Sequence, residues 1–221
     1  MPLDELHRRV TATALRAAAR HGFALGGGNA LIAHGVVDRP TEDVDLFTDQ
    51  GDGVARAAGA AEDALRAAGF TVERQDRAGA LADVFEGMSD GLAEWIITAP
   101  GGRQMMLQMA YFDRDRQPVL MDFGPVLDLD DVVASKVCAL ASRVEPRDYV
   151  DTAAALQRYS PGRLIALARA LDPGLTDEDF TDAGRRLDTM PDAMFGRYGL
   201  SPADVATLRE RFADWPRTGG G

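Results

Sequence analysis

The sequence predicts an α+β fold with a mixed first half and a helical second half, on three observations. Up to about residue 125, short apolar runs of strand length alternate with segments of helical spacing. After Gly124-Pro125 only the helical spacing remains. Pro161, Pro173, Pro191 and Pro202 then punctuate the chain, two of them in Ser-Pro pairs suited to helix starts. The organisation is read as a core over residues 1–125 and a helical region over 126–221, in a chain of 221 residues that is long enough to bury a real core.

Taken in order, Leu3, Leu6, Val10, Ala14 and Ala17 recur every three or four residues and place an apolar stripe on a helix ending near His21-Gly22. Phe23 to Leu25 reads as a short strand stopped by three glycines, and Asn29 to His34 turns as a helix that starts on that loop. Val44-Asp45-Leu46-Phe47 alternates an acid with apolar neighbours, so Asp43 and Asp45 share one face of a strand. An Ala-rich helical pattern over 52–68, with Val54, Ala58, Ala61 and Leu65 on one side, is closed by Gly69. Phe70 to Val72 restarts a strand, Leu92–Thr98 and Arg103–Phe112 flank Pro100-Gly101-Gly102 as a hairpin, and Val119 to Phe123 adds another strand. Beyond Pro125, Leu129, Val132, Val133, Lys136, Val137 and Leu140 have helical spacing, with further helices expected over 148–158, 161–171, 176–188 and 202–213. The last residues, Thr218 to Gly221, read as frayed, and no internal repeat is present.

Composition narrows the function. A formal charge of −11 argues against a general nucleic-acid coat, because phosphate backbones are bound mainly through Lys and Arg. A local basic patch from Arg103, Arg114, Arg116, Arg143 and Arg147 stays open, although most such arginines are merely solvated. The single cysteine, Cys138, excludes an internal disulfide and a Cys-rich zinc site, and its apolar context reads as a small buried residue. No basic stretch followed by an apolar run opens the chain, and no segment approaches roughly 18 uninterrupted apolar residues, so a cytoplasmic protein without a membrane span is expected.

Three groups of residues can carry chemistry. Gly26, Gly27 and Gly28 in ALGGGNAL open a helix, where bare backbone N–H groups can hold phosphate oxygens; the same triple glycine also reads as a plain turn. Asp43 and Asp45, one residue apart in RPTEDVDLF, set their oxygens within reach of one hard cation such as Mg2+, or else form a solvated strand end with Glu42. Lys136 lies beside an apolar helical stripe, from which it either snorkels to solvent or emerges into a cleft to meet a triphosphate. Asp148 and Asp151 of RDYVD lie at i and i+3 on one helix face, where helix capping after Pro146 is an equal reading.

Taken together, GG followed by R-x-T-x-DVDLF, a lysine on a helix, and RDYVD after it resembles the AbiEii/AbiGii nucleotidyltransferase toxins, including the MenT-type toxins, from about Leu25 through Arg158. The resemblance implies a polymerase-β-like nucleotidyltransferase core with a mixed sheet and flanking helices, followed by a helical C-terminal half. It implies transfer of a nucleoside monophosphate from an NTP to a macromolecular acceptor, the tRNA 3′ end, by the toxin of a toxin-antitoxin pair with a cognate antitoxin. On this sequence, Gly26, Gly27, Gly28 and Asn29 would receive phosphates, with Arg39 and Thr41 as added contacts. Asp43 and Asp45 would bind Mg2+, with a two-ion site possible, Lys136 would neutralise triphosphate charge, and Asp148 or Asp151 would complete the active site. Asn29 stands where the signature often has Ser or Thr, and Gln108 where a third strand carboxylate is often placed, which leaves Asp113 and Asp122 as substitutes. A transferase acting on a small molecule or a protein hydroxyl, and a binding module with a vestigial nucleotide site, are the competing readings.

Overall fold

The computed structural model describes residues 3–75 and 91–218; apart from Thr218, the tail read as frayed lies outside them. By contacts the chain divides into two compact units, residues 1–33 with 41–128, and residues 34–40 with 129–221. The first half therefore loses a seven-residue segment, 34–40, to the second unit. Local bonds account for this: the Arg158 guanidinium donates to the carbonyls of His34 and Gly35 at 3.2 and 2.7 Å, and Arg39 donates to Asp151.

In the first unit, α1 (Glu5–Ala17) and a 3-10 turn (Ala19–His21) lead into β1 (Ala24–Leu25), α2 (Gly27–Ala33), β2 (Asp43–Thr48) and α3 (Gly53–Ala67). Then follow β3 (Thr71–Gln75), β4 (Leu92–Thr98), β5 (Gln104–Tyr111), β6 (Val119–Met121) and β7 (Gly124–Val126). The strands form one seven-stranded sheet in the order β3-β4-β5-β2-β1-β7-β6. It is mixed: β2 runs parallel to β5 and β1 parallel to β7, while the other neighbours are antiparallel. One sheet face carries Val44, Leu46, Trp95, Ile97, Leu107 and Met109, all buried, and α1 and α3 pack against these strands. Trp95 buries its ring and satisfies its indole N–H on Glu62 Oε2 at 3.0 Å.

Two expectations shift. The stripe that α1 buries is His7, Val10, Thr11, Ala14 and Leu15 rather than the run through Leu6 and Ala17, a rotation that carries a histidine and a threonine inward. The single strand expected over 119–123 is a hairpin of β6 and β7 that continues through Pro125, which a short strand near the sheet edge tolerates.

The second unit holds α4 (Leu129–Ser142), α5 (Pro146–Ala155), α6 (Pro161–Leu171), α7 (Asp177–Thr189), a 3-10 segment (Asp192–Tyr198) that the sequence did not suggest, and α8 (Pro202–Arg211). Ser160 and Ser201 cap α6 and α8 just before their prolines, as the Ser-Pro pairs predict. An aromatic cluster of Tyr149, Phe180, Phe195, Phe212 and Trp215 forms its core; the Tyr149 hydroxyl donates to Ala183 O at 2.6 Å and the Trp215 N–H to Phe180 O at 3.0 Å. Between α4 and α5, Val144 adopts φ 56°, the left-handed conformation that a helix end usually gives to glycine. Cys138 is partly buried on α4 and donates to Ala168 O at 3.4 Å; burial pushes its thiol up to about 11, so it has no nucleophilic character near neutral pH.

Candidate active site

The first unit brings the glycine loop and the aspartate pair together. Along β2 the burial alternates, with Asp43, Asp45 and Phe47 half-buried and Val44, Leu46 and Thr48 buried, so both carboxylates stand on the face away from the core. The Gly26 N–H donates to Asp45 O at 2.8 Å, and a methyl group added at Gly26 would lie 2.3 Å from the Phe47 ring. Gly27 adopts φ +60°, and a Cβ there would sit 1.8 Å from Asp45 Oδ2. The loop is pressed onto the aspartate strand so closely that only a residue without a side chain fits. That contact sets the first turn of α2, whose N–H groups have no intrahelical acceptor, beside the Asp45 carboxylate.

Asn29 is 1% exposed, and its side chain is engaged at both ends. Nδ2 donates to Asp43 O at 2.6 Å, and Oδ1 accepts from the Thr41 hydroxyl at 2.6 Å. The two residues expected to touch a nucleotide through their side chains therefore hold each other and the backbone carrying Asp43. Asn29 does here what a Ser or Thr is too short to do, spanning from α2 to the start of β2.

The second unit brings together Arg39, Lys136 and Asp151. Arg39 Nε and Nη2 donate to the two Asp151 oxygens, each at 2.8 Å, in the planar fork that guanidinium and carboxylate share. Lys136 Nζ lies 3.2 Å from Asp151 Oδ2. Asp151 is fully buried, and one carboxylate between two cations leaves a formal surplus of one positive charge. Lys136 is the only lysine in the chain, whose other basic side chains are arginines. Arg39, expected as a phosphate contact, has committed its fork to Asp151.

Asp148 has a different partner. It accepts from Arg143 Nε and Nη2 at 2.9 and 2.7 Å and from the Glu145 N–H at 3.1 Å, closing a capping box at the start of α5. The hydrogen bonds to Asp148 push the Arg143 guanidinium above its ordinary value. The capping reading of this acid matches its contacts, whereas Asp151 belongs with Lys136.

The substitutes for a third carboxylate do not stand beside the pair. Asp122 is in the β6–β7 turn, bonded to Arg8 Nη2 at 2.6 Å, and Asp113 is exposed beyond the end of β5. In register with Asp45 stands Gln108, and across from Gln108 on β4 stands Glu94, a buried acid that the sequence reading passed over. Its signal was a lone acid in the apolar run Leu92-Ala93-Glu94-Trp95-Ile96-Ile97. The five arginines considered for a basic patch each face a carboxylate: Arg103 Asp4, Arg114 Asp49, Arg116 Asp128, Arg143 Asp148 and Arg147 Glu145.

With this geometry in place, the comparisons are decisive for the family. The profile described as nucleotidyl transferase AbiEii toxin, type IV TA system, matches residues 10–214. The chain belongs to the AbiEii nucleotidyltransferase toxin family. The AbiEii fold is also seen in solved structures at low identity. MenT4, a nucleotidyltransferase toxin from Mycobacterium tuberculosis, superposes with a TM-score of 0.62 at 16% identity, covering 94% of this chain and 82% of that one. JHP933 from Helicobacter pylori gives 0.57 at 14% identity, covering 95% and 91%, and a putative nucleotidyltransferase from H. pylori gives 0.54 at 14%, covering 95% and 94%. No curated protein matches the chain significantly. As an AbiEii protein it is a nucleotidyltransferase, an enzyme with an NTP substrate. Among the described residues no helix is long and apolar enough to cross a membrane.

Proposed function

We propose that this AbiEii toxin transfers a nucleoside monophosphate from an NTP to the 3′ end of tRNA, with Mg2+ as the metal and a cognate antitoxin restraining it. The observation that carries the reading is the cradle at Gly27, where a Cβ would fall 1.8 Å from Asp45 Oδ2. With glycine there, helix-start N–H groups and a carboxylate share one small space, in which the former would receive a phosphate and the latter would hold a hard cation.

Among the described residues no group of three or more acids, histidines or cysteines is close enough to hold a metal. Asp43 and Asp45 would hold the metal, since two carboxylates are enough for Mg2+ where substrate phosphates offer further oxygens. When bound, the metal supplies charge neutralisation at the phosphates and lowers the cost of generating an attacking oxygen. The chain's own residues position the reactants. Gly27 and Gly28 receive phosphate oxygens on backbone N–H groups, Gly26 spends its own N–H on Asp45 O and keeps the loop bare, and Asn29 and Thr41 fix the strand that carries Asp43. Within the second unit, Asp151 holds Lys136 and Arg39 in place and leaves their cluster with a formal surplus of one positive charge. The acceptor hydroxyl oxygen forms a bond to the α-phosphorus, the bridging bond to the β-phosphate breaks, pyrophosphate leaves with the electron pair, and the hydroxyl proton passes to water.

The test is incubation with each labelled NTP, Mg2+ and total tRNA. Label at the tRNA 3′ end with one or more nucleotides supports the reading, and no label with any of the four overturns it. The acidic partners of the five arginines and the charge of −11 favour a compact acceptor contact over a broad RNA-binding face. Label on a small molecule or protein hydroxyl in place of tRNA would move the acceptor to that class.

A further inference from the structure

The sheet face that holds Asp45 carries an arrangement that the two-aspartate reading leaves unused. Asp45 on β2 pairs in register with Gln108 on β5, and Gln108 pairs in register with Glu94 on β4. Successive residues on a strand alternate sides, and residues paired across neighbouring strands share a side, so the three stand in a row on one face. Neighbouring strands are about 4.8 Å apart, which puts the backbone of Glu94 roughly 10 Å from that of Asp45, with Gln108 filling the interval.

Gln108 Nε2 donates to Glu94 Oε1 at 3.2 Å. Glu94 is 7% exposed, whereas Gln108 is half-buried. This bond turns the amide nitrogen of Gln108 toward Glu94. The amide oxygen is then the end that Glu94 does not hold. It is a hard, neutral oxygen of the kind that joins carboxylates and waters around magnesium, on the residue directly beside Asp45. A neutral oxygen at this position adds a ligand without adding a third negative charge to Asp43 and Asp45, whose mutual repulsion already disfavours a crowded acidic site.

We propose that Gln108 supplies an oxygen ligand to the metal held by Asp43 and Asp45, and that Glu94 is the positioning residue that orients it. The proposal rests on the metal reading given above. A carboxylate shifted one strand outward thus acts through an amide on the metal. Such outer partners fix the direction of a ligand, and their loss costs metal affinity even where the ligand itself remains.

The experiment titrates the purified protein with Mn2+ alone and follows the free-ion electron paramagnetic resonance signal, with thermal unfolding measured on each variant. Asp45→Asn is expected to abolish binding. Glu94→Gln and Gln108→Met are each expected to weaken Mn2+ binding by about tenfold or more, the loss typical of an outer-sphere partner or a neutral ligand. The exchanged pair Glu94→Gln with Gln108→Glu re-forms the hydrogen bond in reverse and sets a carboxylate beside Asp45, so it is expected to bind Mn2+ at least as tightly as the native chain. Equal binding in Asp45→Asn and native protein would overturn the metal reading and this proposal together. Binding lost in Asp45→Asn but unchanged in folded Glu94→Gln and Gln108→Met would overturn the proposal alone. If Glu94→Gln does not fold, Gln108→Met decides, because it removes the oxygen and leaves the Glu94 carboxylate in place.

Discussion

Asp43 and Asp45 on a strand, and Asp148 and Asp151 on a helix, are two closely spaced acidic pairs that the fold treats in opposite ways. The strand pair shares one face, keeps part of its surface in solvent and stands against a glycine loop. The helix pair is fully buried, and its two members answer to different cations, Asp148 to Arg143 and Asp151 to Arg39 and Lys136. A buried charge persists when the chain supplies its counter-charge. Residues of one chemical type are thus sealed among arginine and lysine side chains in one unit and left half-buried on a sheet face beside a glycine loop in the other.

That contrast is open to direct attack. The largest effect is expected at Asp45→Asn, which should lower nucleotidyl transfer by roughly 10²–10³-fold, the loss seen when a preorganised electrostatic group is removed. Its thermal midpoint should stay near that of the native protein; a large drop in the midpoint would make Asp45 architectural as well. Asp151→Ala should do the reverse first, costing about 3–5 kcal/mol of stability in urea unfolding because two cations lose their buried partner. Asp148→Asn should cost less, about 1–2 kcal/mol, because the Arg143 side chain it releases is already partly in solvent and only a cap and a fork are lost. Urea curves of equal shift for the two helix acids would erase the distinction drawn between them.

Smaller effects fall outside the pairs. Replacing Val144 by glycine should gain about 1 kcal/mol, since a β-branched residue in the left-handed region carries strain that glycine lacks. His7 adds a pH term. Burial holds its imidazole below its ordinary value of 6.5, with the Asp4 carboxylate opposing that shift. The unfolded chain then takes up the proton first, so stability is full above about pH 6.5 and falls as the pH drops toward the lowered folded value. His7→Gln should flatten this part of a stability-against-pH curve, and an unchanged slope would assign the acid sensitivity elsewhere.

Much of this was legible in the sequence because periodicity encodes burial. Alternation in DVDLF placed Asp43 and Asp45 on one face, and Ser-Pro pairs located two helix starts, since both signals depend on local geometry alone. The capping of a helix start by Asp148 was legible as one of two readings, because it too is local. The contacts of Asn29 and Arg39 were not: their polar atoms are consumed by Asp43 and Thr41 and by Asp151, and which polar groups meet is decided by tertiary packing. Glu94 escaped notice because its partner Gln108 is a neighbour only across the β4–β5 pair. The inward turn of His7 and Thr11 defied a hydrophobic stripe that would have rotated α1 the other way.

The assignment of residues 34–40 to the second unit also has a consequence for biosynthesis. Arg39 is bonded to a carboxylate 112 residues further along the chain. At a synthesis rate of about 5–20 residues per second, Asp151 is made roughly 6 to 22 seconds after Arg39. Until then the segment 34–40 has no partner unit to join, and the growing chain cannot complete the cluster that holds its only lysine. The ribosome thereby builds a delay into the assembly of a toxin, whose Arg39–Asp151–Lys136 cluster cannot form before the second unit has emerged.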